Sequence, residues 1–325
     1  MKRAFVWLRR WGVSLSSFIG GLLALFVFRR ELPHVRWIVG YLLLLWLLVV
    51  LSVQVREGFQ TTRAGRLVLT ATDYTIQSLY HGILLFLLPA YWASTTLDSP
   101  NVGFVLLLVA LVLLATFDPW YRAAVDRVPA ITDVFFFVSL FAALNVALPL
   151  VGLPPFWAML LSAGLATVAL SPALRRSRRW PWRRAFRVTT VAGVAAALLV
   201  LPARAAIPPV PLFLARATLA RDVARGEPVD PLGPTLDAGD LGRLVAFTAV
   251  YAPAGLRQPI AHVWRREGQV VSVVPLAPVR GGRRDGFRTY SRKTLAPADT
   301  AGRWSVDVVT DSGQLIGRLR FRVAS

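Results

Sequence analysis

The chain has 325 residues, of which 55% are hydrophobic and 17% charged, against about 25% charged in an ordinary soluble domain. That composition excludes a single water-soluble globule and makes lipid part of the solvent. Lys and Arg number 37 against 17 Asp and Glu, a net charge of +20, and the absence of cysteine excludes disulfides, thiolate nucleophiles and Cys-ligated metal sites.

A helix crossing a bilayer needs about 20 mostly apolar residues. Seven runs meet that need in chain order: Trp11–Phe28, Trp37–Val55, Thr75–Ala93, Val102–Phe117, Ile131–Leu148, Val151–Leu170 and Val188–Ala206. The first follows a basic N-terminus, but Arg29, Arg30 and Glu31 come directly after it, so it reads as an uncleaved anchor. Pro149, Gly152, Pro154 and Pro155 mark a tight turn between the fifth and sixth runs. With the N-terminus in the cytoplasm, sixteen Lys and Arg fall in the inner connectors and only Arg29, Arg30 and Arg36 in the outer ones. Basic loops stay inside, so the chain after the seventh run emerges outside. Only Lys2 and Lys293 are lysine, a bias expected of a GC-rich bacterial genome. The expected location is the bacterial inner membrane, N-terminus cytoplasmic and C-terminal domain periplasmic.

Within the third run Asp73, Gln77 and His81 recur every four residues and share a helix face. A polar stripe inside a membrane is a candidate proton or ligand site. The competing reading makes Gln77 and His81 interhelical hydrogen-bonding residues beside an interfacial Asp73. The run Arg175–Arg187 with Trp180 and Trp182 lies between two spans, so it reads as a topology determinant on anionic headgroups rather than a nucleic-acid site.

After Ala206 the texture changes. Pro208, Pro209, Pro211, Pro228, Pro231 and Pro234 punctuate residues 207–239, expected to be a linker. Within it Leu212–Arg225 is helix-like, either amphipathic on a membrane surface or a plain linker helix. From residue 240 the period becomes two. Strands are expected at Leu244–Tyr251, Ile260–Glu267, Val270–Leu276, Phe287–Lys293, Arg303–Thr310 and Leu315–Val323, with Leu315, Leu319, Phe321 and Val323 on one face. The expected architecture is thus an α-helical membrane bundle of about seven spans (1–206), the linker (207–239), and a small all-β, immunoglobulin-like sandwich (240–325) anchored by Trp264 or Trp304.

The segments His262–Gly268, Arg280–Arg283, Gly286–Lys293, Gly302–Val308, Gly313–Gly317 and Phe321–Val323 carry a resemblance. Over residues 240–325 the chain resembles a bacterial domain family of unknown function, domain of unknown function 2914. The membrane half is similar to the multi-spanning region that accompanies this domain in some inner-membrane proteins. The resemblance implies a recurring architecture and carries no activity.

Arg280, Gly281, Gly282, Arg283, Arg284, Arg288, Arg292 and Lys293 crowd one loop and the strand after it, with only Asp285 opposing. They read as an anion cradle, in which guanidinium forks hold phosphate or carboxylate and glycine admits backbone N–H groups. The alternative is a solvated basic face that repels edge-to-edge strand pairing. The partners that follow are the lipid bilayer and an envelope protein, anionic glycan or lipid headgroup; no nucleic acid, metal or cofactor is expected. His262, Ser291 and Asp285 supply triad residue types, but no G-x-S-x-G turn frames the serine and no H-E-x-x-H or phosphate-binding glycine motif occurs. The sequence therefore points to a membrane-anchored binding or scaffold protein. A transporter or sensor built around His81, and a hydrolase using Ser291 and His262, are the two alternatives.

Overall fold

The computed structural model describes residues 62–237, 242–294 and 301–324. The runs Trp11–Phe28 and Trp37–Val55 lie outside the described residues. The chain groups into two compact units. Of the described residues, the first gathers those through Pro89 with Val105–Ala147 and Trp157–Pro202; the second gathers Ala90–Phe104, Leu148–Phe156 and those from Ala203 onward.

The described helices are α1 (Arg63–Ala93), α2 (Val102–Thr116), α3 (Asp118–Arg127), α4 (Ala130–Leu150), α5 (Pro155–Val168), α6 (Ser171–Ser177) and α7 (Trp182–Ala203). Among the described residues three helices are long and apolar enough to cross a membrane: Ala130–Leu150, Pro155–Ser177 and Trp182–Ala206. A fourth joins them if α2 and α3 count as one span, although the pair bends by 106°. The break follows from Pro119, which lacks an N–H to continue α2 but suits the first turn of α3. The run Thr75–Ala93 lies inside α1, where Gln77, Tyr80 and His81 dilute its apolar content.

Apolar side chains coat α7 on its open side: Val191, Val194, Leu198 and Leu199 are all exposed, as suits a lipid-facing helix and not a water-facing one. Its other side packs closely on α5. A Cβ added to Gly193 would sit 2.9 Å from the Gly164 carbonyl oxygen, so glycine lets the two backbones approach.

The described residues of the β region form eleven strands: β1 (Phe213–Ala224), β2 (Glu227–Leu232), β3 (Thr235–Leu236), β4 (Leu244–Tyr251), β5 (Arg257–Gln258), β6 (Ile260–Arg266), β7 (Gln269–Pro275), β8 (Val279–Arg280), β9 (Phe287–Lys293), β10 (Gly302–Thr310) and β11 (Leu315–Val323). They form one sheet in the order β2-β1-β4-β9, a second in the order β3-β11-β10-β6-β7, and a small ribbon β5-β8. All pairings are antiparallel except β3 with β11.

The two larger sheets share a core. Leu219, Leu244 and Ala246 of the first meet Trp264, Trp304, Val306, Phe321 and Val323 of the second, and both Trp264 and Trp304 belong to it. Trp304 stacks on Phe321 at 6.0 Å, and Trp264 meets the same ring edge-on at 6.2 Å. A second cluster, with Leu212, Val250, Leu256, Ile260, Val279, Val308 and Ile316, fills the end of the sheets where β1 begins.

Expectations for two segments are corrected. Leu212–Arg225 is strand β1 rather than a helix, and most of the expected linker 207–239 belongs to β1, β2 and β3. Ala, Leu and Arg favour helix, but pairing of β1 with β4 on one side and β2 on the other overrides that weak preference. The local signal is Arg225-Gly226: both have positive φ, 52° and 75°, as a two-residue hairpin turn of type I′ requires. Glu267-Gly268 repeats the device between β6 and β7 with φ of 46° and 82°. The second correction is at β11, where the register slips between Val308 and Val309. The slip admits Ile316 as an extra residue, and Ile316 rather than Leu315 enters the core.

A fragment starting at Ile207 should therefore unfold cooperatively, whereas one starting at Gly242 should not. The shorter fragment lacks β1 to β3 and with them Leu212, Leu219 and Leu236 from the core. Thermal melts followed by near-ultraviolet circular dichroism distinguish the two, and a sharp transition in the shorter fragment would contradict this assignment.

Candidate functional site

The residues singled out in the helical unit act as ties between helices. Gln77 Nε2 donates to the Ala115 carbonyl at 3.0 Å, and His81 Nε2 lies 2.9 Å from Thr116 Oγ1. Both side chains are buried. The last carbonyls of a helix have no partner within it, and α2 ends at Thr116, so Gln77 satisfies one such carbonyl. Thr116 itself donates to the Val112 carbonyl. Asp73 is exposed and does not join this pair at depth.

In the β domain the expected basic cluster divides in two. Arg288, Arg292 and Lys293 on β9 face partners of their own chain. Arg288 pairs with Glu227 at 2.7 Å, Arg292 with Asp222 at 3.0 Å, and Lys293 Nζ donates to Ser272 Oγ at 2.9 Å. Arg216 of β1 also reaches Glu227, at 3.1 Å. The β1–β2 hairpin, unforeseen from sequence, supplies both carboxylates. The Val223 backbone N–H and the Arg292 guanidinium hold the Asp222 carboxyl below its ordinary range.

The other part is the loop end built by Arg280, Gly281, Gly282, Arg283 and Arg284. Its glycines serve packing, not anion approach. Gly281 N–H donates to the Leu256 carbonyl and Gly282 N–H to the Ala252 carbonyl, each at 3.0 Å. A Cβ on Gly281 would lie 1.7 Å from the Pro253 carbonyl oxygen, so only glycine fits. The arginines stay exposed, with the Arg283 guanidinium 5.2 Å from the Phe287 ring centroid. Beside them stands Arg257, not foreseen, directly opposite Arg280 in the β5–β8 ribbon.

A third arrangement is an ion-pair chain on the second sheet. Asp307, 2% exposed, receives Arg318 Nε at 2.5 Å and Nη2 at 2.9 Å, and Arg265 Nε at 3.0 Å. Arg318 stands directly opposite Asp307 across β10 and β11. Arg318 continues to Asp98 at 2.6 Å, and Asp98 also binds Arg320. Asp98 lies in the connector between α1 and α2, so this chain ties that connector to β10 and β11 within the second unit. Nothing local in the sequence singles out Asp98; its role exists only once the fold brings β11 to it.

The fourth arrangement lies inside the core. His262 Nδ1 is 2.8 Å from Ser291 Oγ, which also accepts from Trp264 Nε1 at 3.0 Å. His262 Nε2 is 2.9 Å from Thr248 Oγ1, itself 3.0 Å from Thr289 Oγ1. An imidazole protonated on Nε2 gives one directed chain: Trp264 to Ser291 to His262, then His262 to Thr248 to Thr289. The His262–Ser291 contact has the geometry of a nucleophile–base pair. Both residues are buried between the sheets, which leaves a substrate no approach, and Asp285 sits in the exposed loop away from them. The arrangement satisfies buried polar groups. Among the described residues no three His, Asp or Glu side chains gather as a metal site would need.

A family model matches residues 1–234 of the chain, and its description is a family of unknown function, DUF5924. The chain belongs to that family. A second model, a protein of unknown function, DUF2914, matches residues 257–323. No curated protein matches the chain. The first match ends inside the β domain, after β1 and β2, and the second begins at β5. The domain is thus assembled across both families, with β3 and β4 between the two matches.

Burial holds the His262 imidazole down to about 4 from an ordinary 6.5. Between those values the unfolded chain binds the proton and the folded one does not, so stability falls as pH drops from 6.5 toward 4. The loss attributable to His262 is about 3 kcal/mol at the acid end. Thermal melts of the β domain across this window should show the slope, and His262→Leu should flatten it while lowering the melting temperature throughout. Ser291→Ala strands the Trp264 N–H and should cost about 1–3 kcal/mol at neutral pH. An unchanged slope in His262→Leu would contradict the neutral buried imidazole.

Proposed function

We propose that this protein is a bacterial inner-membrane protein of about seven spans that holds an immunoglobulin-like β domain in the periplasm as a binding or scaffold module. Its ligand would be an anionic envelope component or a protein partner. The observation that carries the reading is the composition of the second unit: the connectors after α1 and after α4 pack with the β domain as one body. An N-terminus-inside thread of seven spans leads these same three segments to one side. The basic runs Arg122–Arg127 and Arg175–Arg187 fall in the other connectors. The agreement between chain parity and packing supports the topology.

The sheet orders support the immunoglobulin-like assignment. β6, β10 and β11 stand as strands C, F and G with β7 beside C, while β1, β4 and β9 stand as A, B and E. A binding role is supported by the exposed arginines of the loop end, beside sheets whose other charges are mostly matched internally. Engagement of Gln77 and His81 in ties between α1 and α2 supports a packing role for the polar stripe over a transport or sensing site.

The natural lack of cysteine makes labelling direct. Single cysteines at Leu97, Val151 and Ser312 should react with a membrane-impermeant maleimide in intact spheroplasts, and one at Ser177 only after lysis. Labelling of Ser177→Cys in intact spheroplasts with protection of Ser312→Cys would invert the topology and sink the proposal.

A further inference from the structure

The excess positive charge of the β domain is handled unevenly. Where arginines stand side by side in the larger sheets, a carboxylate binds at least one of them. Arg303 stands opposite Arg322, and Arg303 binds Glu267 through Nε, Nη2 and its backbone N–H. Arg318 and Arg320 share Asp98. Arg257 and Arg280 also stand directly opposite each other, on one face of the β5–β8 ribbon, with Arg283 three residues on. Among the described residues these three form no ion pair. Like charges directly opposite on paired strands repel. A site of that kind is stabilised by an anion from outside the domain.

Depth identifies the anion. The turn after α4 follows a helix apolar enough to cross a bilayer, so on the reading above it lies at headgroup level. The second unit is rimmed there by apolar and aromatic side chains open to their surroundings: Trp92 is 58% exposed, Leu97 66% and Val151 65%. Tryptophan at a helix end is the residue of a membrane–water boundary. Gly152 of that turn meets the β4–β5 loop so closely that an added Cβ would lie 3.4 Å from the Gly255 carbonyl oxygen. The β8–β9 loop is in turn bound to the β4–β5 loop through Gly281 and Gly282. These backbone contacts carry the arginines to the depth of the turn. Arg225 and Arg322 lie at the opposite ends of their strands, away from this turn.

We infer that Arg257, Arg280 and Arg283 bind the anionic phospholipid headgroups of the membrane in which the chain's own helices are anchored. The inference rests on the membrane-anchored reading and names the ligand of its basic loop. A guanidinium grips phosphate oxygens bidentately, and the closed glycine contacts hold the three side chains on a fixed base. Binding in cis seats the loop end of the domain against the bilayer.

The test uses the full chain in nanodiscs of phosphatidylcholine alone or with added phosphatidylglycerol, at low salt, with amide exchange read over residues 252–257 and 280–286. Exchange there should slow about fivefold with phosphatidylglycerol, the effect of one basic residue engaging an anionic surface. The triple variant Arg257→Gln, Arg280→Gln, Arg283→Gln should lose that slowing while β10 and β11 keep their protection, which reports that it is folded. Equal exchange in the two lipids overturns the inference, as does slowing that survives in the triple variant. Equal slowing by inorganic phosphate in phosphatidylcholine discs also overturns it, and leaves the loop an anion site for a soluble ligand. A chain that fails to enter nanodiscs at all overturns the membrane-anchored reading together with this inference.

Discussion

The pairing of β1 with β4 is the contact on which the β domain depends. It brings the segment that follows the last helix into the first sheet, between β2 and β4. Without it, Leu212 and Leu219 leave the two core clusters and β4 keeps only β9 as a neighbour. It also sets which end of the sheets faces the helix connectors, because β1 begins at that end and Leu212, Leu256 and Val279 fill it. Burial of those apolar side chains drives the arrangement, and the hydrogen-bonded ladder fixes its register.

A strongly basic chain must place its charge somewhere. Along the sheets the guanidinium groups lie against carboxylates brought from distant positions: Glu227 and Asp222 from the β1–β2 hairpin, Asp307 from β10, Asp98 from the α1–α2 connector. Exposed pairs of this sort contribute little individually. The Asp307 group differs because its carboxylate is buried, so it depends on Arg318 and Arg265 together, and removal of both would leave a buried charge without compensation. Against this background the ribbon arginines stand out through their position opposite one another.

The His262 network shows how far residue type can mislead about chemistry. A serine, a histidine and their close contact are the parts of a catalytic pair, yet here they lie on the inner faces of two opposed sheets. There each hydroxyl and ring nitrogen finds a partner along the chain from Trp264 to Thr289. Neutral groups hydrogen-bonded in this way make the packing of β6 on β4 and β9 specific at little cost in stability.

Much of the architecture was legible in the residues themselves. The long apolar runs near residues 131–148, 151–170 and 188–206 reappear as helices apolar enough to span. The alternation from Leu244 onward reappears as β4, β6, β7, β9, β10 and β11, since period and turn glycines are local properties of the chain. Strand β1 was hidden because its composition favours helix and only its neighbours make it a strand. The glycines of the basic loop were visible, but their task, a backbone approach to Pro253, was not. Likewise Arg288 and Arg292 read as free basic groups until the hairpin supplied Glu227 and Asp222. Sequence alone determined which segments are apolar, where the chain alternates and where it turns. Tertiary structure alone decided which charges are matched and which glycines are crowded. It also set which polar side chains are buried, because those properties belong to pairs of residues far apart in the chain.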